Sequence, residues 1–398
     1  MKYDIAIIGA GIVGLATAFQ ISERRPDLTI GIIDKENGEA RHQTGHNSGV
    51  IHSGIYYQPG GSKAINCRKG YQMLLNFASE NGIRHEICGK AIVATQRSEL
   101  PKLEEIYQRG LANGLQGLRL LEPAEVQARE PHVNAIRAIW VPQAGIISYR
   151  EVAAKYLELL LQRNARPIFG SPVHDISLTR QGAIVHTEHA EVHCRLVINC
   201  AGLYSDKVAR MTMPEIDIQI LPFRGEYYEL AQEARRLVKN LVYPVPNPSF
   251  PFLGVHFTRM VDGSVEAGPN AVLAFKREGY SRWDINMGEL LETLAFPGFR
   301  AIAKRYWRDG MGEFHRSYSK AAFVRALQRL IPEVKAENLK RGNSGVRAMA
   351  CDKAGNLIDD FIFLERERVI NVCNAPSPAA TASLAIGEIV ANKALARF

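Results

Sequence analysis

Residues 3–34 read YDIAIIGAGIVGLATAFQISERRPDLTIGIID, and this stretch decides the fold. YDIAII (3–8) is a short apolar run suited to a buried parallel strand. Helical spacing follows and stops at Pro26, and LTIGIID (28–34) reads as a second strand. Strand, helix and strand make one βαβ unit. Gly9-x-Gly11-x-x-Gly14 falls at the turn from strand to helix. Gly9 permits the tight turn, Gly11 lets a pyrophosphate approach the backbone, and Gly14 lets helix and strand pack closely. The helix N-terminus adds free N–H groups and partial positive charge. Asp34 lies twenty residues beyond Gly14, where an acid accepts hydrogen bonds from both ribose hydroxyls and disfavours a 2′-phosphate. The motif therefore predicts a dinucleotide and argues against NADP. It leaves NAD and FAD open.

A chain of 398 residues is too long for one ordinary core, which predicts two domains. Hydrophobic residues at 46% and charged residues at 23% suit a soluble globular enzyme. No run of ~18 apolar residues occurs, so no membrane span is expected. The N-terminal apolar run breaks at glycines and lacks a small-residue cleavage site, and reads as a strand, not a signal peptide. Cys67, Cys88, Cys194, Cys200, Cys351 and Cys373 form no CxxC pair, so neither a metal site nor a disulfide framework is expected. These features predict a protein of the cytoplasm.

The net charge is +8, and much of it is local: residues 296–330 carry eight Lys/Arg against Asp309 and Glu313. Phe296, Phe299, Tyr306, Trp307, Phe314, Tyr318 and Phe323 are interleaved with them. Two readings stand. One is a solvated helical pair with a buried aromatic face. The other is an element that meets an anionic membrane peripherally, on the cytoplasmic face of the inner membrane. Nucleic acid is not expected as a partner, because no RNA-binding fold signature accompanies the charge.

Further along, SYREVAAKYLELLLQR (148–163) predicts a helix capped by Ser148, and residues 222–269 read as strands. Near the C-terminus, VINVC, a Pro/Ser loop and a helix read as another nucleotide-fold crossover. The fold class expected is α/β (α+β overall): a Rossmann-like nucleotide domain, discontinuous in sequence, and a substrate domain of mixed antiparallel sheet plus helices. The boundaries are 1–75, 145–205 and 340–398 for the first, and 76–144 and 206–339 for the second.

The long polar loop after Asp34 contains TGHNSGVIHSGIYY (44–57), too broken for a helix and large enough to wrap a second mononucleotide. With GAGIVGLATA (9–18), IIDKE (32–36), VINCAGLYSD (197–206) and NAPSPAATASLAIGE (374–388), it resembles the D-amino-acid-oxidase-type FAD oxidoreductases. PFRGEYYEL (222–230), LGVHFTRMVDGSVEAGPNAVLA (253–274) and GVRAMACDKAGNLIDDFI (345–362) resemble the L-2-hydroxyglutarate oxidase/dehydrogenase branch. The resemblance spans essentially the whole chain. It implies FAD as cofactor, bordered by Gly9, Gly11, Gly14, Asp34, Thr44, Asn47, Ser48, Val173, Ala201, Gly202, Pro378, Ala380 and Thr381. It also implies a small dicarboxylate substrate.

Oxidising a 2-hydroxy acid removes a hydride from C2 and a proton from the hydroxyl. Flavin N5 takes the hydride, and histidine is the side chain best suited to take the proton. His52 and His256 are the leading candidates, with His46 third; a histidine in this loop attached to the flavin is a rival role. Carboxylates call for arginine clamps, which singles out Arg347, then Arg224 and Arg259. Tyr57 and Tyr228 supply candidate hydroxyl donors, and Lys63 a further cation. The electron acceptor is oxygen or a membrane quinone of a respiratory chain. The competing readings are a sarcosine- or glycine-type amine oxidase on the same fold, and a flavin-bearing RNA-binding protein.

Overall fold

The computed structural model describes residues 1–247 and 253–398. Residues 248–252, inside the expected strand region 222–269, lie outside the described residues.

The strand read from YDIAII runs over Lys2–Ile8 and the helix over Ile12–Arg24. Lys2–Ile8 lies between two parallel neighbours, Ile30–Ile33 and Glu191–Asn199. Ala165–Ile168 extends the parallel sheet on one side and Val369–Asn374 on the other. The Val173–Leu178/Ala183–Thr187 hairpin and Ile362–Arg366 add antiparallel strands. Helix Ile12–Arg24 packs against Tyr149–Leu161 and Ser383–Leu395. Both faces of the central strands are buried, which is why they read as continuous Ile/Val runs. Ile5, Ile7, Leu15, Ile21, Ile30 and Ile32 are fully enclosed, each stabilising the fold by about 1.5–3 kcal/mol. Ser148 caps its helix by accepting from the Glu151 N–H at 3.3 Å.

A second, larger sheet is ordered Val272–Leu273, Ile218–Leu230, Val265–Gly268, His256–Arg259, Leu241–Pro244, Lys90–Ala94, Arg137–Val141 and Arg119–Leu121. It is antiparallel except where Leu241–Pro244 pairs with Lys90–Ala94. Leu339–Asp352 lines Ile218–Leu230 along nearly its whole length. Most of that strand falls within 340–398, the stretch expected with the nucleotide domain, yet it is a member of the second sheet. Its partner is thirteen residues long, and the ladder this offers outweighs proximity in sequence to the C-terminal crossover. The molecule is thus mixed α/β, with a Rossmann-like parallel sheet and a second, largely antiparallel sheet.

The basic segment folds into helices Pro297–Tyr318 and Lys320–Leu327, preceded by Met287–Ala295. The aromatic residues do not share one buried face. Phe296 and Phe323 are buried, while Trp307 and Tyr318 are exposed. Trp283, Ile285, Met287, Leu291, Leu294 and Met311 are exposed beside them. Among the described residues no helix is long and apolar enough to cross a membrane.

Candidate active site

One cavity of about 1220 Å³ runs from the glycine turn to the second sheet. At one part of it stand Gly9, Gly11, Asp34, Thr44, Val173, Ala201 and Gly202. Gly9 has φ +110°, a region in which a side chain is strained. A Cβ on Gly14 would sit 2.0 Å from the Gly9 carbonyl oxygen, so Gly14 serves packing and does not line the cavity. A Cβ on Gly11 would meet only Thr44 Oγ1, at 3.5 Å. Gly11 brings no side-chain cap and the first turn holds no acid; Thr44 Oγ1 accepts the Ile12 N–H at 3.0 Å, and the positive end of the helix dipole favours an anion beside the rest of the turn. The Asp34 carboxylate accepts from the Ala10 and Glu36 N–H groups at 2.7 and 2.9 Å. Each oxygen keeps a lone pair for a ribose hydroxyl. The donor set and open glycine backbone fit a dinucleotide.

Beside Asp34, Lys35 Nζ donates to Glu36 and Glu278 at 2.7 and 2.8 Å and sits 3.1 Å from His42 Nε2. This cluster ties the end of a nucleotide-sheet strand to the loop around Glu278.

The polar loop supplies Asn47, Ser48, His52 and Tyr57 to the same cavity, and the C-terminal Pro/Ser loop supplies Pro378 and Ala380. Thr381 stands just behind: fully buried, it bonds Tyr149 Oη at 2.6 Å and accepts the His52 N–H at 3.1 Å. That bond pins the two loops together. His52 Nε2 lies 3.3 Å from Ser377 Oγ.

His256, Arg347, Tyr227 and Tyr243 reach the cavity from the second sheet. His256 Nδ1 faces the Gly254 carbonyl oxygen at 2.8 Å, which assigns the proton to Nδ1 and leaves Nε2 an acceptor. Burial first, then the nearby cations Lys90, Lys63 and Arg347 and the neighbouring His256, push His52 down to about 3. Burial dominates for His256 as well, with Arg347 and Lys90 adding to it, and the group also falls to about 3. Both imidazoles are neutral at pH 7. Lys63 pairs with Asp359 at 2.6 Å and lies over the Tyr57 ring. His46 also lines the cavity, but Nδ1 is engaged with the Ser344 carbonyl at 3.0 Å and the ring stacks on Tyr280.

Three residues singled out in the sequence stand elsewhere. Arg259 pairs with the Glu86 carboxylate, one contact being 2.9 Å, and donates to the Lys239 carbonyl. Side chains alternate along a strand, so Arg259, three positions from His256, points to the other face. Arg224 is buried against Glu226 at 3.2 Å and the Ser281 carbonyl at 3.0 Å. Phe223, not Arg224, stands opposite Arg347 in the ladder, which again places Arg224 on the other face. Tyr228 packs edge-on against Phe323 in the core. Tyr56, Tyr227, Tyr243 and Lys90 were not singled out, although a lysine in the apolar strand KAIVA was a signal of a special environment.

The family model for FAD dependent oxidoreductases matches residues 4–393. The chain is 51% identical to L-2-hydroxyglutarate dehydrogenase of Indibacter alkaliphilus, covering 100% of both chains. It is 42% identical to the Escherichia coli K12 enzyme of that name over 98% of this chain and 93% of the relative. It is 41% identical to the human mitochondrial one over 100% and 89%. Among solved structures, FAD-bound L-alpha-glycerophosphate oxidase from Mycoplasma pneumoniae superposes with a TM-score of 0.79 at 23% identity, covering 99% and 95%. Glycine oxidase from Geobacillus kaustophilus superposes at 0.74 and 15%, covering 100% and 95%; these two likenesses bear on the fold. With the glycine turn, Asp34 and the extended cavity in place, the match over nearly the whole chain means that this protein belongs to the FAD dependent oxidoreductases and takes FAD as its cofactor.

Proposed function

We propose that the protein oxidises L-2-hydroxyglutarate to 2-oxoglutarate. The observation that carries this reading is the meeting of two neutral histidines, His52 and His256, with Arg347 and Lys63 on one cavity wall. FAD, when bound, supplies the hydride acceptor. Arg347 clamps a carboxylate of the substrate through its planar fork, and Tyr57 adds a hydroxyl donor. His256 takes the hydroxyl proton at Nε2, and His52 faces the same substrate. The substrate's own carboxylates offset the cations that add to burial in holding these imidazoles down. Binding therefore raises the histidine toward the range where it holds a proton well. The names of the full-length relatives support this substrate.

For the acceptor we propose a membrane quinone. The exposed apolar residues of 283–318 lie close in sequence to Arg300, Lys304, Arg305 and Arg308, a combination suited to lying on an anionic bilayer. The protein then acts peripherally at that surface.

Mixing the oxidised holoenzyme with L-2-hydroxyglutarate without oxygen tests the substrate. The visible flavin band bleaches with the L-isomer, and persists with the D-isomer and with sarcosine. Bleaching by sarcosine but not by L-2-hydroxyglutarate overturns the reading in favour of amine oxidation.

A further inference from the structure

Four Lys or Arg side chains are buried among the described residues: Lys63, Lys90, Arg224 and Arg277. Three have a carboxylate partner. Lys63 pairs with Asp359, Arg224 with Glu226 and Arg277 with Asp206. Lys90, only 1% exposed, has none among the described residues. Its Nζ lies over the rings of Tyr56 and Tyr243, 4.6 and 4.9 Å from their centroids. A buried ammonium without a counter-charge is among the most unfavourable arrangements in a protein, and aromatic faces offset only part of that cost. Such a group persists where something else completes it.

The surroundings indicate what completes it. Tyr56 and Tyr243 both line the cavity, so the ammonium stands directly behind the wall that faces a ligand. The Tyr56 hydroxyl is buried and has no hydrogen-bond partner among the described residues. Tyr243 stacks on His256 at 3.9 Å. The charged and titratable groups facing this region are Lys63, Lys90, Arg347, His52, His256, Cys67, Tyr227 and Glu266, with Asp359 spent on Lys63 and Glu266 pushed up to about 7 by burial. Lys90 itself has no carboxylate beside it among the described residues, so its charge is open to an anion in the cavity.

We propose that Lys90 is a specificity-determining residue: from behind Tyr56 and Tyr243 its charge favours a ligand with a second carboxylate over one with a single carboxylate. A monocarboxylate held at Arg347 leaves Lys90 without an anion beside it, whereas a dicarboxylate carries a second charge toward it. The inference deepens the proposed function and rests on it for the identity of the substrate, though not for the selection by charge.

The test uses non-reacting ligands on the oxidised holoenzyme. Glutarate and butyrate are titrated while the visible flavin band is followed, in the wild type, Lys90→Met and Lys90→Arg. The expected result is that Lys90→Met weakens glutarate about tenfold or more while butyrate moves by less than about twofold. Lys90→Arg keeps most of the preference. Equal weakening of both ligands, or no change in either, overturns the proposal. A measurement on the wild type stands even if Lys90→Met does not fold. Burial lowers Lys90 to about 8, so the preference for glutarate declines as pH rises through that value and the ammonium loses its proton. A preference that is flat from pH 6 to about 9.5 overturns the proposal as well. Because glutarate cannot be oxidised, failure of L-2-hydroxyglutarate to bleach the flavin is a separate result. It overturns the substrate and leaves the charge selection to be judged on glutarate against butyrate.

Discussion

The His256 ring stacks on Tyr243 with centroids 3.9 Å apart and 27° between planes. The Gly254 carbonyl at 2.8 Å from Nδ1 fixes the other edge of the imidazole. Stacking and hydrogen bond together leave Nε2 as the one ring atom that can accept a proton from a ligand. His256→Gln is therefore expected to slow flavin reduction by L-2-hydroxyglutarate about 10²–10⁴-fold, with a smaller change in KM. Rapid-mixing absorbance under anaerobic conditions reads it. A near-wild-type rate in His256→Gln together with a collapse in His52→Gln moves the base to His52.

His256 also makes stability depend on pH. Its folded value, about 3, lies below the ordinary histidine value of 6.5. Below pH 6.5 the unfolded chain takes up a proton that the folded protein refuses. The contribution is thus present above 6.5 and is lost as pH falls toward about 3, at no more than about 1.4 kcal/mol per pH unit. Urea midpoints at pH 7 and pH 5 are expected to differ less in His256→Gln than in the wild type.

The three arginines separate cleanly. Arg347→Met is expected to lower kcat/KM by about 10–100-fold, as for the loss of a charged hydrogen bond of about 1.5–3 kcal/mol. Arg259→Ala removes a partly exposed pair with Glu86 and is expected to leave the rate unchanged and to cost under about 1 kcal/mol of stability. Arg224→Ala removes one of several partners of Glu226, which keeps Arg282, Asn270 and Ser317, and acts on the fold first, by roughly 1–3 kcal/mol. Steady-state rates with a dye acceptor and thermal melts check all three.

Gly14→Val places a branched side chain where even a Cβ lies 2.0 Å from the Gly9 carbonyl. The turn must open, and the expected outcome is a protein purified without the yellow of bound flavin. Retention of the full flavin band contradicts this account of the turn.

The membrane reading is tested on the helices. Trp283→Ser combined with Leu291→Ser and Trp307→Ser is expected to abolish sedimentation with phosphatidylglycerol vesicles at low salt, leaving anaerobic flavin reduction intact. Undiminished binding by the triple variant sinks the reading.

Much of this was legible in the sequence for a local reason. A βαβ unit is written in periodicity, in three glycines and in one acid twenty residues on, all within reach of a short window. The loop residues Thr44, Asn47, Ser48 and His52 came with the family resemblance of TGHNSGVIHSGIYY, and all four line the cavity. Arg259 was misassigned even though the sequence held the objection. His256 and Arg259 are an odd number of residues apart in one strand and cannot face the same side. Arg224 needed the ladder, because only its register shows Phe223 opposite Arg347.

By itself, then, the sequence determined the nucleotide turn, the element types and the chemistry its residue types permit, since these depend on short-range spacing. The tertiary structure alone decided which distant side chains meet. Tyr56, Lys90, Tyr243, His256 and Arg347 come from five separate segments, and long-range pairing of the four strands among them assembles one wall with Lys90 behind it. Burial follows from that assembly, and burial is what keeps the histidines neutral and leaves Lys90 without a carboxylate among the described residues. No local window carries that information, because solvent exclusion is a property of the packed whole.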